Sequence, residues 1–175
     1  MNYMVREKQI IECVPNFSEG RNKEVIKQIT DVVEQMEGVK LLDVDPGEAT
    51  NRTVVTFVGE PSVVVETAFR CVQKAAQLID MRQHHGAHPR IPVSGITLEE
   101  CAVLARQLAE RIARELKVPC YCYEAAAKTP ERRNLAVCRK GEYEALPKRM
   151  DVTSEVPDYG ARKWDEQMAR TGCTA

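Results

Sequence analysis

Apolar positions recur along this chain in two rhythms. At helical spacing, Val25, Ile26, Ile29, Val32, Val33 and Met36 form one stripe, and Gly38 is placed to end it. Val64, Val65, Ala68, Val72, Ala75, Ala76 and Ile79 form a second, opened by Pro61 and Ser62. Cys101, Leu104, Ala105, Leu108, Ile112 and Leu116 form a third, starting at Thr97, where "TLEE" puts Glu100 in the place a capping box requires. Between these stripes lie short strand-like runs: "QIIECV", which breaks at Pro15, then "VKLLDVD", "TVVTFVGE" and "VPCYCY". "PGEATNR" turns the second of these antiparallel onto the third. After Tyr123 the chain becomes polar, and its tail carries little apolar periodicity.

The resulting order, β-α-β-β-α-(loop)-α-β, predicts an α+β fold in the ferredoxin-like style. It implies a mixed, mostly antiparallel sheet with helices on one face. The whole chain, 1–175, is read as one domain, long enough to bury a real core. One strand is hard to place. Between the second helix and Thr97 only "IPVSGI" is available, and a parallel crossover there would be cramped.

Charge narrows the function classes. With 25 basic and 26 acidic side chains, nothing global argues for nucleic acid or an anionic membrane. Basic groups cluster locally in "KTPERRNLAVCRK" and "PKRM", which keeps small anionic ligands in play. No apolar run approaches a membrane span, and the polar start "MNYMVREKQ" does not read as a secretory signal. Seven cysteines include no CxxC pair, and Cys13, Cys71, Cys101, Cys120 and Cys122 lie within apolar patterns. A reduced, cytoplasmic protein is expected, without a disulfide framework.

The densest chemistry is "LIDMRQHHGAHPRIPVSG", which holds all three histidines: His84, His85 and His88. A zinc helix is disfavoured, because Gly86 and Pro89 interrupt the His84–His88 spacing and no glutamate lies between them. No metal is expected. Ordinary loop histidines bonded to backbone and water are the commoner case. Against that, His88 precedes a proline that fixes the backbone and follows a glycine that permits close approach. That makes it the best candidate general base. Asp43 and Asp45 alternate on a strand and so share a face, with Asp45 at the strand's end. A turn aspartate before Pro46 is the simpler account of it. "NFSEGRN" could bind an anion at a helix N-terminus, and Lys128, Arg132 and Arg133 of "AAAKTPERR" could clamp a carboxylate. Each signal is weak alone.

In combination they are specific. "ECVPNFSEGRN", "LLDVDPGEATNRTVVTFVGEP", "LIDMRQHHGAHPRI", "GITLEEC" and "RRNLAVCRKGEYEAL" together resemble the N-terminal subdomain of glutamate formiminotransferase, also found in bifunctional formiminotransferase-cyclodeaminase. The resemblance runs from the first strand to the end of the chain, in one order. It implies transfer of a formimino group from N-formiminoglutamate to N5 of tetrahydrofolate, in histidine degradation. Tetrahydrofolate would be a co-substrate, and no metal would be needed. The family's catalytic histidine falls on His88, with Asp45 as its partner. A glycine-bounded folate stretch falls on Gly160, Ala161, Arg162, Lys163, Trp164 and onward to Gly172. The wording of that stretch differs from the family's usual one. Expected partners are the two small-molecule substrates, a C-terminal formiminotransferase subdomain, further copies of the chain and a cyclodeaminase. Alternatives are formyl transfer between 5-formyltetrahydrofolate and glutamate, and an inactive stand-alone folate-binding subdomain.

One departure from the family matters for the fold. The resemblance implies roughly ten more residues after Ile91, about one strand and its turn. Losing a strand beside a catalytic loop would disturb both sheet and site. The expectation is therefore that the chain contains this segment and that the sequence as read closes over it.

Overall fold

The computed structural model describes residues 9–86 and 89–174. The first strand is interrupted at Val14–Pro15, giving β1 (Ile11–Cys13) and β2 (Asn16–Phe17). There follow α1 (Lys23–Glu34), the antiparallel hairpin β3 (Val39–Gly47) and β4 (Arg52–Gly59), and α2 (Pro61–Leu78). A short strand β5 (Val93–Ser94) leads to α3 (Leu98–Arg111), which widens into a π-turn over Ile112–Leu116. The rest of the chain is built from short turns of helix: α4 (Leu135–Cys138), α5 (Leu146–Arg149) and α6 (Glu166–Thr171).

β4 lies between β3 and the β1/β2 strand, and β5 pairs on the far side of β1, all antiparallel. Sheet order β3–β4–β1/β2–β5 is the ferredoxin-like arrangement expected from the sequence. Ile11, Cys13, Phe17, Val55 and Phe57 turn toward the helices and are buried. Ile29 and Val33 of α1, and Val64, Ala68 and Cys71 of α2, complete that core. Helix starts follow their sequence signals. Asn22 caps α1 by accepting from Glu24 and Val25 amides, and Pro61 occupies the first turn of α2. Thr97 and Glu100 form both halves of a capping box on α3. Replacing Thr97 with alanine is expected to lower the unfolding free energy by about 1 kcal/mol. A urea titration that leaves the midpoint unchanged would show that the cap contributes nothing.

One expectation needs correction. "VPCYCY" is not a ladder strand. Val118–Tyr123 is extended but makes only isolated bridges, from Cys120 to Tyr159 and to Thr174. Period-2 apolarity reports burial on one face, and here the burial is against the C-terminal chain rather than a neighbouring strand. The short segment after Ile91 still reaches the sheet. The sequence runs directly from Ile91 to Pro92, and Arg90–Ser94 occupies the position beside β1. Val14 N–H donates to Pro92 O at 3.0 Å, and Asn16 N–H donates to Arg90 O at 2.9 Å.

The polar tail is also better packed than its pattern suggested. Tyr121, Cys138, Leu146, Met168 and Cys173 form a second buried cluster with Met81. All seven cysteines are buried thiols outside any disulfide. Burial pushes the thiols of Cys71 and Cys173 up to about 12, so near neutral pH they behave as small hydrophobes. Among the described residues, no helix is long and apolar enough to cross a membrane.

Candidate functional site

The face of the sheet turned away from the helices carries the candidate aspartates. Cross-strand register places Asp45 beside Val54, Val54 beside Asn16, and Asn16 beside Arg90, so these four side chains share one row and one face. Asp43, beside Thr56, lies on the same face. Arg52 sits two residues before Val54 and donates from Nη2 to Asn16 Oδ1 at 3.0 Å. Its position is fixed by the "NFSEGRN" turn, which crosses the hairpin at Gly20. A Cβ there would lie 2.5 Å from Gly47 O and 2.6 Å from the Arg52 nitrogen, so only glycine allows the approach. Thr53 Oγ1 donates to Glu19 O, and Gly20 N–H donates to Asn51 Oδ1.

This turn is not the anion site that its composition allowed. The Asn22 side chain accepts from the amides of Glu24 and Val25, and Glu19 Oε1 accepts from those of Arg21 and Asn22. Lys128 and Arg132 do not form a clamp either. Lys128 lies over the Tyr159 ring, and Arg132 is spent on Asp158 at 2.6 Å.

Sequence reasoning missed a trio of arginines. Arg52, Arg90 and Arg139 are half-buried and act on one another electrostatically. Burial lowers the Arg52 guanidinium pKa, and the repulsion of Arg139 and Arg90 lowers it further. Arg139 is lowered for the same reasons, by burial and then by Arg90. Glu142 acts in the opposite sense on both. Arg52 Nε and Arg90 Nε are buried with no hydrogen-bond partner among the described residues. Concentrated, half-desolvated cations, with donors to spare on Arg52 and Arg90, suit an anion that brings its own oxygens. The three lie 38 and 49 positions apart, with separate sequence contexts, so no local motif could have shown them together.

The histidine loop borders this face. His88 lies outside the described residues, but its flanks are held. On one side Gly86 N–H donates to Glu144 Oε1 at 3.0 Å, and Tyr143 N–H donates to Gly86 O at 2.9 Å. On the other, Thr174 Oγ1 donates to Pro89 O at 3.3 Å. The other two histidines differ sharply. His84 is buried at 3% exposure, whereas the His85 side chain is 87% exposed and sits 3.4 Å from Glu144. Asp45 is exposed. Along its row two strands separate it from Arg90, roughly 14 Å at the usual strand spacing.

The glycine-bounded stretch divides into two parts. Gly160 to Lys163 forms an exposed loop, with Gly160 against Pro119. Trp164 meets the Tyr143 ring edge-on at 5.9 Å. Gly172 ends α6 at φ +72° and is buried, and a Cβ there would lie 3.0 Å from Met81 Cγ. The Gly172 end packs on Met81, just before the histidine loop, and Trp164 reaches the loop through Tyr143, whose amide donates to Gly86 O.

Residues 10–175 match the family model described as the formiminotransferase domain, N-terminal subdomain. The chain belongs to this family. Formiminotransferase relatives bear this out. The chain is 51% identical to mouse formimidoyltransferase-cyclodeaminase over 161 residues, covering 87% of this chain and 30% of the mouse protein. Against glutamate formimidoyltransferase of Streptococcus pyogenes it is 43% identical over 164 residues, covering 89% of this chain and 55% of that protein. For the Thermoplasma acidophilum enzyme of the same name the identity is 39% over 162 residues, with 86% and 54% covered. The chain thus spans from 30% to 55% of the length of these formiminotransferase relatives. In the mouse alignment, 161 positions take up 87% of a 175-residue chain, or about 152 residues. About nine positions of the relative therefore have no counterpart here, close to the shortfall that the family resemblance implied.

Proposed function

We propose that the protein of which this chain is part transfers the formimino group of N-formiminoglutamate to N5 of tetrahydrofolate, in histidine degradation. Membership of the formiminotransferase family sets the reaction class. The observation that carries the site is Arg52 and Arg90 on the open sheet face, with Arg139 at the end of α4 near enough to repel both, beside the segment that leads out of His88. Formiminoglutamate and folate both carry carboxylates; Arg52 and Arg90 offer donors to hold one, and Arg139 adds its charge.

His88 is the general base and acid. It takes the proton that N5 loses on attacking the amidine carbon and delivers one to the departing glutamate nitrogen, so the proton count balances. Asp45 is assigned as its orienting partner, favouring the imidazolium that forms transiently. The folate contacts are assigned to Gly160, Ala161, Arg162, Lys163, Trp164 and Gly172. A C-terminal subdomain would close the site over the open sheet face. The setting is cytoplasmic, with a homo-oligomer and a cyclodeaminase as expected company, and no metal is assigned to any step.

Removing one guanidinium from the trio tests the assignment. Arg52→Ala and Arg139→Ala should each raise KM for formiminoglutamate by about 10- to 100-fold, the size of a lost charged hydrogen bond, with little change in kcat. Steady-state kinetics on the full-length protein decide it. An unchanged KM in both variants would remove the trio from the substrate site.

A further inference from the structure

Arg139 sits where charge repulsion works against it. It caps α4, a helix of only 4 residues, which has too few hydrogen bonds to hold itself together. Arg90 and Arg52 act on it with charge of the same sign. Cations crowded in this way spread into solvent unless the backbone beneath them is fixed. The end of α4 is fixed, and chiefly by one side chain.

Arg149 closes α5 and is 7% exposed. Its Nη1 donates to Cys138 O at 2.6 Å and reaches Lys140 O at 3.5 Å, while its Nη2 donates to Val137 O at 3.3 Å. Cys138 and Lys140 are the residues on either side of Arg139. The last carbonyls of a helix are short of intrahelical donors, and a planar guanidinium can serve several of them at once. Arg149 Nε donates to Glu155 Oε2 at 3.2 Å, so the clamp carries its own counter-charge. The guanidinium also lies 5.2 Å from the Tyr121 ring centroid. All three of its nitrogens are therefore engaged within the protein. Arg139 itself is bonded at both backbone groups: its N–H donates to Leu135 O at 3.0 Å, and its C=O accepts from Glu142 N–H at 2.9 Å. Residues 137–149 thus form a loop closed by the Arg149 side chain, and the far side of that loop meets the histidine loop directly. There Tyr143 N–H donates to Gly86 O, and Glu144 Oε1 accepts from Gly86 N–H.

We propose that Arg149 is a positioning residue of the substrate site: by clamping the carbonyls around Arg139, it holds that cation beside Arg52 and Arg90. The inference rests on the reading of these three arginines as the carboxylate site. Arg149 acts through Arg139 and not on the substrate. It keeps the Arg139 charge from dispersing, so its loss is felt as weaker substrate binding rather than slower chemistry. Lysine is a poor replacement, because its ammonium is a point donor on a flexible stem and cannot fork across three carbonyls.

Arg149→Lys in the full-length protein is the test, since it keeps the charge and most of the buried stem. It should raise KM for formiminoglutamate about five- to twentyfold, with kcat within about twofold of the parent. In an Arg139→Ala background the same change should raise KM no further, because the group being positioned is gone. Amide exchange at Glu142, which is bonded to the Arg139 carbonyl, should quicken about tenfold in Arg149→Lys. Glu155→Ala, at a side chain 32% exposed, releases only the Nε end of the clamp. It should give a smaller rise in KM with the same dependence on Arg139, and it carries the decision if Arg149→Lys does not fold. The inference is overturned if KM is unchanged in these variants, or if it rises equally with and without the Arg139 guanidinium, as a purely structural role would require. A KM left unchanged by Arg139→Ala alone is a different result: it removes the arginines from the substrate site, and Arg149 then has nothing to position.

Discussion

His88→Gln is expected to lower formimino transfer by about 10²- to 10⁴-fold, the usual contribution of a positioned acid–base group. The fall should appear in kcat, with the chain's thermal midpoint nearly unchanged. In the parent protein kcat/KM should decline on the acid side, because a protonated ring no longer accepts the N5 proton. Glutamine does not titrate, so that acidic limb should vanish from the variant. The neighbouring histidines supply the controls, and the structure predicts that they behave differently from each other. The His85 side chain is 87% exposed and pairs with the half-exposed Glu144, so His85→Gln should leave turnover within about twofold of the parent. His84 is buried, so His84→Ala should cost about 2–4 kcal/mol of stability through the cavity it leaves. Assays on full-length protein and thermal melts on each variant separate the three roles. Equal loss of turnover from all three would instead indicate a shared metal or structural site.

How much of this could be read from the chain depends on the range of the interaction. Hydrophobic spacing and capping residues are local, so α1, α2, the β3–β4 hairpin and the Thr97–Glu100 cap were all legible. Period-2 apolarity is equally local but ambiguous. It marked Val118–Tyr123 as half-buried, yet the burying surface proved to be Asp158–Tyr159 and Thr174, more than 30 residues downstream. The arginine trio escaped for the same reason. Arg52 ends a turn, Arg90 follows a proline and Arg139 ends a short helix, and only the sheet register and the folded tail bring them together. The histidine loop was legible as chemistry because composition there is extreme. Even so, its unlike members, buried His84 and exposed His85, are separated by packing that no spacing rule encodes.

The largest stability effect is expected at Asp158, in the tail that looked least structured. Its side chain is 4% exposed; Oδ1 accepts from Arg132 Nη1 at 2.6 Å, and Oδ2 accepts from the Cys122 amide at 2.7 Å. Arg132 also donates to the carbonyls of Ser154 and Val156, and its guanidinium lies 5.4 Å from the Tyr121 ring centroid. Asp158→Ala strands that cation without its counter-charge, which should cost about 3–5 kcal/mol. Arg132→Met strands the carboxylate instead and should cost a similar amount, whereas the double variant Arg132→Met with Asp158→Leu should recover much of the loss. A double-mutant cycle in urea is the measurement, and losses that simply add would show that the pair is not coupled. The consequence reaches the site along the backbone. Asp158 and Tyr159 amides both donate to Cys120 O, the Tyr121 amide donates to Thr174 O, and Thr174 in turn holds Pro89 O. Single variants at this pair should therefore speed exchange at Cys120 and Tyr121 before global unfolding, and lose transferase activity at temperatures where the α1–α2 core is still intact.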